Sequence, residues 1–223
     1  MNLSIIELLS KIRGEQTASI TMQQKTLQVL LSFSFGVLLG FISKYSDTIP
    51  SNGLLGYILG IISDITTRLG IWVLLATIIA VWSNNPRIGA IKVFAFFVGM
   101  LLMYYIYSMW LFGFFPTYYF IHWGVIALAS PIAAYIVWFS RGNGWIAAFC
   151  AAMPIGLLVS TGYPFFYTYT FAITHGFEIL FSVILFIILP TNQKQRLRIF
   201  TSTLFIMFII RNSNILSYLF GGL

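Results

Sequence analysis

Acidic residues are nearly absent from this chain. Five Asp and Glu (Glu7, Glu15, Asp47, Asp64 and Glu178) stand among 223 residues, against 12 Lys and Arg. Charged residues of all kinds make up 8%, roughly a third of the share in a soluble domain. A soluble globule of this size could not cover its surface with so few charges, so a soluble enzyme, a DNA-binding domain and a disordered module are excluded. The single cysteine, Cys150, rules out an internal disulfide and a cysteine-based metal site, and its apolar setting reads as packing. The first 26 residues hold no apolar run of the length a signal-peptide core needs, so no cleavable leader is expected.

What remains is apolar: 59% hydrophobic and 18% aromatic residues. Such a chain dissolves in lipid, and the expected fold is all-α, a polytopic transmembrane helix bundle of about seven spans. Residues 1–26 form a separate segment. Ile5, Ile6, Leu8, Leu9 and Ile12 recur at helical spacing opposite Glu7 and Lys11, an amphipathic helix lying at the membrane surface. Residues 27–223 form the membrane domain. Its spans are expected near 27–43, 65–83, 93–113, 120–140, 145–160, 171–189 and from 199 onward, the last interrupted by Arg211 to Asn214. If that interruption breaks the helix, the count falls to six. The apolar stretch Gly53–Ile62 is too short to cross and reads as a re-entrant or interfacial segment. Ser63 or Asp64 then caps the second span, with Asp64 and Arg68 paired one turn apart.

Orientation follows from the basic residues. With the N-terminus cytoplasmic, nine of the 12 lie inside, Lys44 and Arg68 lie outside, and Arg211 falls within a span. The expected location is therefore a cell membrane, multi-pass, with the N-terminus in the cytoplasm.

Glu178 is the one acid well inside a span, and Arg211 is placed at similar depth on the following antiparallel span. An intramembrane Glu178–Arg211 ion pair is expected, serving either as a relay or substrate site or as glue for a helical hairpin. His175 shares a face with Glu178, and His122 lies near the outer end of the fourth span. An H-x-x-E pattern with one distant histidine lacks zinc-peptidase spacing, so hydrogen-bonded packing histidines are expected and no metal or cofactor. Of 12 tyrosines only Tyr135 is placed toward the inside. Tyr118, Tyr119, Tyr167 and Tyr169 read as an interfacial belt. Tyr104, Tyr105 and Tyr107 lie too deep for a belt, so they should face a polar cavity or the Glu178–Arg211 pair.

Small residues repeat every four positions at Ser32, Gly36, Gly40, at Ala148, Ala152, Gly156, and at Gly56, Gly60. Such faces bring helices into backbone contact, within the chain or against another subunit. No P-loop, nucleophile elbow, arginine-repeat sensor or potassium-type filter is present.

Lys44 closing span one, the G-x-W of Gly70 and Trp72, the S-x-x-P-R loop from Ser83 to Arg87 and the G-M-x-x-x-Y-Y of Gly99 to Tyr105 together form a pattern. On these residues, about a third of the chain resembles an uncharacterised family of small polytopic membrane proteins of Gram-positive bacteria. That resemblance implies a bacterial plasma membrane and no catalytic residues. The functional expectation is a non-enzymatic transport component without its own ATPase. It would bind a small solute in an outward-facing aromatic vestibule through Glu178, Arg211, His175, Tyr104, Tyr105, Tyr107 and His122. The alternative is a non-catalytic accessory or scaffold subunit docking a partner, or a second copy, through small-residue faces. An intramembrane enzyme using Glu178 and His175 ranks last. Beyond the bilayer, the partners expected are a small-molecule ligand and a membrane subunit or second copy, and no nucleic acid.

Overall fold

The computed structural model describes residues 12–14, 21–50, 52–113, 115–166 and 173–213. The amphipathic segment expected over residues 2–13 lies outside these residues except for Ile12 and Arg13.

The described chain is all-helical. It comprises α1 (Met22–Ser46), α2 (Gly53–Thr67), α3 (Leu69–Val81), α4 (Pro86–Phe112), α5 (Thr117–Trp138), α6 (Gly144–Gly162), α7 (Ile173–Ile188) and α8 (Gln193–Ser213). Short 3₁₀ turns follow α5 and α6 at Phe139–Arg141 and Tyr163–Phe166. Several helices begin earlier than the apolar runs do, because their caps lie outside those runs. Thr21 and Gln24 form a reciprocal capping box that starts α1 five residues before Leu27. Asn85 Oδ1 accepts from the Ile88 amide, and Pro86 opens α4 at the position where its missing N–H costs nothing. Gln193, not Ile199, opens α8.

By length and composition four helices can cross a membrane: α1, α4, α5 and α6. The α2–α3 pair, bent by 71° at Arg68, is a fifth if it is one span. The described part of α7 is a shorter apolar helix, and α8 carries Lys194, Arg196 and Arg198 in its first turns. Among the described residues the qualifying helices thus number four or five, against the seven expected. The segment after span one is also differently built. Gly53–Thr67 is one continuous helix, since nothing at Ser63 or Asp64 interrupts it, and the break falls at Arg68. No ion pair joins Asp64 to Arg68, and neither Ser63 nor Asp64 caps α3.

Helix α3 is central, packing on α4, α5, α6 and α7, while α1 lies along α4 and α8 along α6. Two small-residue faces are consumed inside the chain. The buried residues of α1 are Ser32, Gly36, Gly40, Ser43 and Ser46. A Cβ on Gly36 or Gly40 would overlap the carbonyl oxygens of Phe96 or Met100, so α1 and α4 meet backbone to backbone. On α6, Ala148 and Ala152 are fully buried, and a Cβ on Gly156 would stand 2.7 Å from Ile206 of α8. The third face differs, for Gly60 looks onto open space.

The end of the bundle that carries most of the basic residues is tied by side chains reaching backbone carbonyls. Arg13 donates to the carbonyls of Trp138 and Val81, the last residues of α5 and α3, and stacks on the Trp138 ring at 4.0 Å. One guanidinium thereby satisfies orphan carbonyls on two helices. Burial and the neighbouring Arg141 lower the Arg13 pKa to about 10, which still leaves it charged near neutral pH. The amide of Gln195, 1% exposed, both accepts from and donates to the backbone of Gly144, pinning the start of α8 to the start of α6.

Two outcomes are expected from thermal unfolding of the detergent-solubilised protein. Gly40→Leu should destabilise by about 1–3 kcal/mol or more through overpacking, whereas Gly60→Ala should stabilise by up to about 1 kcal/mol. Equal effects at the two positions would contradict the α1–α4 contact. Arg13→Ala should lower the melting point and Arg13→Lys should not restore it, because a lone ammonium cannot fork between two helix ends.

Candidate functional site

At the break between α2 and α3 a cation, Arg68, comes within electrostatic reach of a buried acid, Glu178. Arg68 adopts extended backbone there (φ −93°, ψ 156°) and no side chain caps the first turn of α3. The Thr66 and Thr67 hydroxyls turn back onto carbonyls of α2, and the Trp72 indole donates to the Thr66 carbonyl at 2.8 Å. The start of a helix after a break leaves N–H groups and a positive dipole end, which favour a negative or polar group nearby.

Glu178 supplies that group. It is 3% exposed, and an ideal Cβ on Gly70, in the first turn of α3, would stand 3.0 Å from its Cγ. On its other side the Glu178 Cβ comes as near to Gly162 at the end of α6 (3.1 Å from an ideal Cβ there). Glycine at both positions lets the carboxyl-bearing side chain lie directly on backbone. The Thr161 hydroxyl bonds to the carboxyl, and Arg68 lies within electrostatic reach of Glu178 and of His175. Oε2 of Glu178 has no hydrogen-bond partner among the described residues. His175 sits one turn before Glu178 on α7, its Nδ1 3.2 Å from the Thr161 carbonyl. A carbonyl only accepts, so Nδ1 carries the hydrogen and Nε2 is the basic nitrogen.

The expected Glu178–Arg211 pair does not form. Arg211 is exposed and its guanidinium lies over the Tyr163 ring at 3.7 Å. The cause is the early start of α8: Arg211 is about 27 Å along it from Gln193, whereas Glu178 is only about 15 Å from the corresponding end of α7. The partner in reach of Glu178 is Arg68, which sequence reasoning had assigned to Asp64.

The deep tyrosines divide. Tyr104 donates to Asp47 at 2.9 Å, and Asp47 also accepts from Ser63 at 2.6 Å and pairs with Lys44 at 3.6 Å, the only ion pair among the described residues. Tyr104 and Tyr105 line a cavity of about 240 Å³ with Lys44, Ser108, Phe112 and Tyr119. Tyr107 faces elsewhere, packed against Phe41 and Trp110. Two of the three tyrosines thus share a small cavity, and the carboxylate that Tyr104 reaches is Asp47 rather than Glu178. Tyr118 and Tyr119 are 63% and 51% exposed, as a belt requires, while Tyr167 and Tyr169 lie outside the described residues.

A larger apolar cavity of about 700 Å³ lies between α3, α4, α5 and α6. Its polar side chains are Thr77, Ser130 and His122, the last bonded to its own helix at the Tyr118 carbonyl. Leu69 and Leu157 line it, each next in sequence to a residue at the Glu178 site (Gly70 and Leu158), so cavity and carboxyl flank the first turn of α3. His122 thus belongs to the cavity and not to the His175–Glu178 cluster. Among the described residues no group of three His, Cys, Asp or Glu could hold a metal. No family model, no curated protein and no solved structure matches the chain.

Sequence reasoning missed Asp47, Thr161 and Gly162. Asp47 carried a signal, being one of only five acids and three residues from Lys44, but its hydrogen-bond donors lie 16 and 57 residues away. Tyr104→Phe should cost about 1 kcal/mol, since Asp47 keeps Ser63 and Lys44, and Tyr107→Phe should cost nothing measurable in the same unfolding assay.

Proposed function

We propose that this multi-pass membrane protein is a transport component that takes a small, largely apolar solute into the cavity between α3 and α6. It has no ATPase of its own and lies in a bacterial plasma membrane with its N-terminus in the cytoplasm. The observation that carries the reading is the helix broken at Arg68 against a buried, half-satisfied carboxyl, with the solute-sized cavity on the other side of the same helical turn. A structural hairpin would satisfy its buried carboxyl fully. A discontinuous helix at a polar midplane site is instead the arrangement that lets a bundle bind and release. The cavity volume falls within the range of small-molecule sites, and its walls select for apolar surface, with Thr77, Ser130 and His122 to orient one polar end.

Docking of a partner subunit is the second reading. It draws on Gly60 alone, because the other small-residue faces are already occupied by α4 and α8.

The test is a thermal-stability screen of the purified protein against small amphipathic metabolites, run beside Ala133→Trp, which fills the cavity. A solute present at about a hundred times its Kd should add about 2.7 kcal/mol to the parent and nothing to the filled variant. If no solute acts on the parent, or one acts equally on both proteins, the cavity is not the binding site.

A further inference from the structure

We propose that Glu178 is a proton-binding site. The carboxyl is neutral in the arrangement described above, and on losing its proton it draws Arg68 into an ion pair that resets the break between α2 and α3. The purpose of that event, coupling to a solute, rests on the transport reading, whereas the protonation itself is measured without any solute.

Three independent observations lead here. Glu178 is 97% buried with Oε2 unpartnered among the described residues, and the glycines it packs on, Gly70 and Gly162, are otherwise bordered by Phe181, Leu158 and Ile179. An unpaired oxygen on a neutral acid costs far less than the same oxygen on an anion, so the packing seen fits the acid. Second, the groups that face Glu178 can supply a cation without yet doing so. Arg68 from the α2–α3 break is half-buried and within electrostatic reach but makes no ion pair, His175 lies on its own helix, and α6 faces it with the uncharged Thr161 and Gly162. Third, the residue that would have to move stands at the break itself. Arg68 is the junction of two helices at 71°, and Gly70 is packed on the Glu178 side chain, so any backbone movement that carries Arg68 toward Glu178 changes the α2–α3 angle.

A larger ligand fits the site less well. A metal cation would need several oxygen donors, which no group of His, Cys, Asp and Glu among the described residues supplies, and it would meet the charge of Arg68. His175 provides the route in. Its Nδ1–H is held by the Thr161 carbonyl, leaving Nε2, on a half-buried ring one turn from Glu178, to take up and pass a proton.

The experiment uses the full chain in lipid vesicles and N,N′-dicyclohexylcarbodiimide, an apolar reagent that adds only to protonated carboxylic acids and leaves an N-acylurea located by mass spectrometry. The infrared carbonyl band of the protonated acid is followed in parallel, so that failure of the reagent to reach the site does not decide the outcome. Labelling and band at Glu178 should both fall roughly ten-fold or more from about pH 5 to about pH 9. Arg68→Gln, which removes the partner of the anion, should hold them up to higher pH. A band that is absent throughout describes a permanent anion, and one unchanged throughout describes a permanent acid; either overturns the proposal. An Arg68→Gln profile superimposable on the parent overturns the role of Arg68. If the solute screen fails while Glu178 titrates, the transport reading falls and the proton site stands.

Discussion

Backbone amides in hydrocarbon have no water to turn to, and this constraint organises the whole molecule. It explains why the described chain is helical and why its helix ends are tied so closely. Thr21, Asn85, Arg13 and Gln195 each direct a side chain at backbone groups that a helix terminus leaves open. Among the described residues one helix pair, α2 and α3, is sharply bent at a break, and there Trp72 satisfies one freed carbonyl and the first turn of α3 faces the Glu178 side chain. At the break Thr67 is exposed and Arg68 half-buried, while the turn that follows packs on Glu178, so the guanidinium comes within electrostatic reach of a carboxyl and an imidazole.

The same constraint limits how the helices can associate. Lipid tails are as apolar as the side chains they surround, so helices gain little from hiding leucine and must gain from close contact instead. Here α1 gives its small residues to α4 and leaves Leu27, Leu30, Leu31, Phe35 and Leu38 facing outward. The large aromatics are used differently. Trp72, Phe96 and Trp138 are fully buried, and both tryptophans spend their indole N–H on carbonyls near helix ends.

Much of this was legible in the sequence, and the parts that were not share a cause. Composition gave the helical membrane bundle, the four-residue spacing gave Gly36 and Gly40 as a contact face, and the isolation of Glu178 marked it as a residue to explain. Helix boundaries inside polar stretches were read late, because an apolar run shows where lipid begins and not where the backbone starts to coil. That error at Gln193 shifted Arg211 by about two turns and produced a pair that does not exist. Arg68 was misassigned for a related reason. Its neighbour in sequence, Asp64, was visible at once, while Glu178 is brought to it only by the packing of α7 on α3. Local spacing can nominate an ion pair within one helix, but which helices touch is decided by contacts that no local pattern records.

The arrangement at the break depends on the Glu178 side chain lying against the start of α3. Solid-state NMR of the ¹³C-labelled protein in bilayers tests this directly, through the cross-peak between Gly70 Cα and the Glu178 side chain. The structure predicts a strong cross-peak at short mixing time, and none between Glu178 and Arg211. A Glu178–Arg211 cross-peak with Gly70 silent would contradict it.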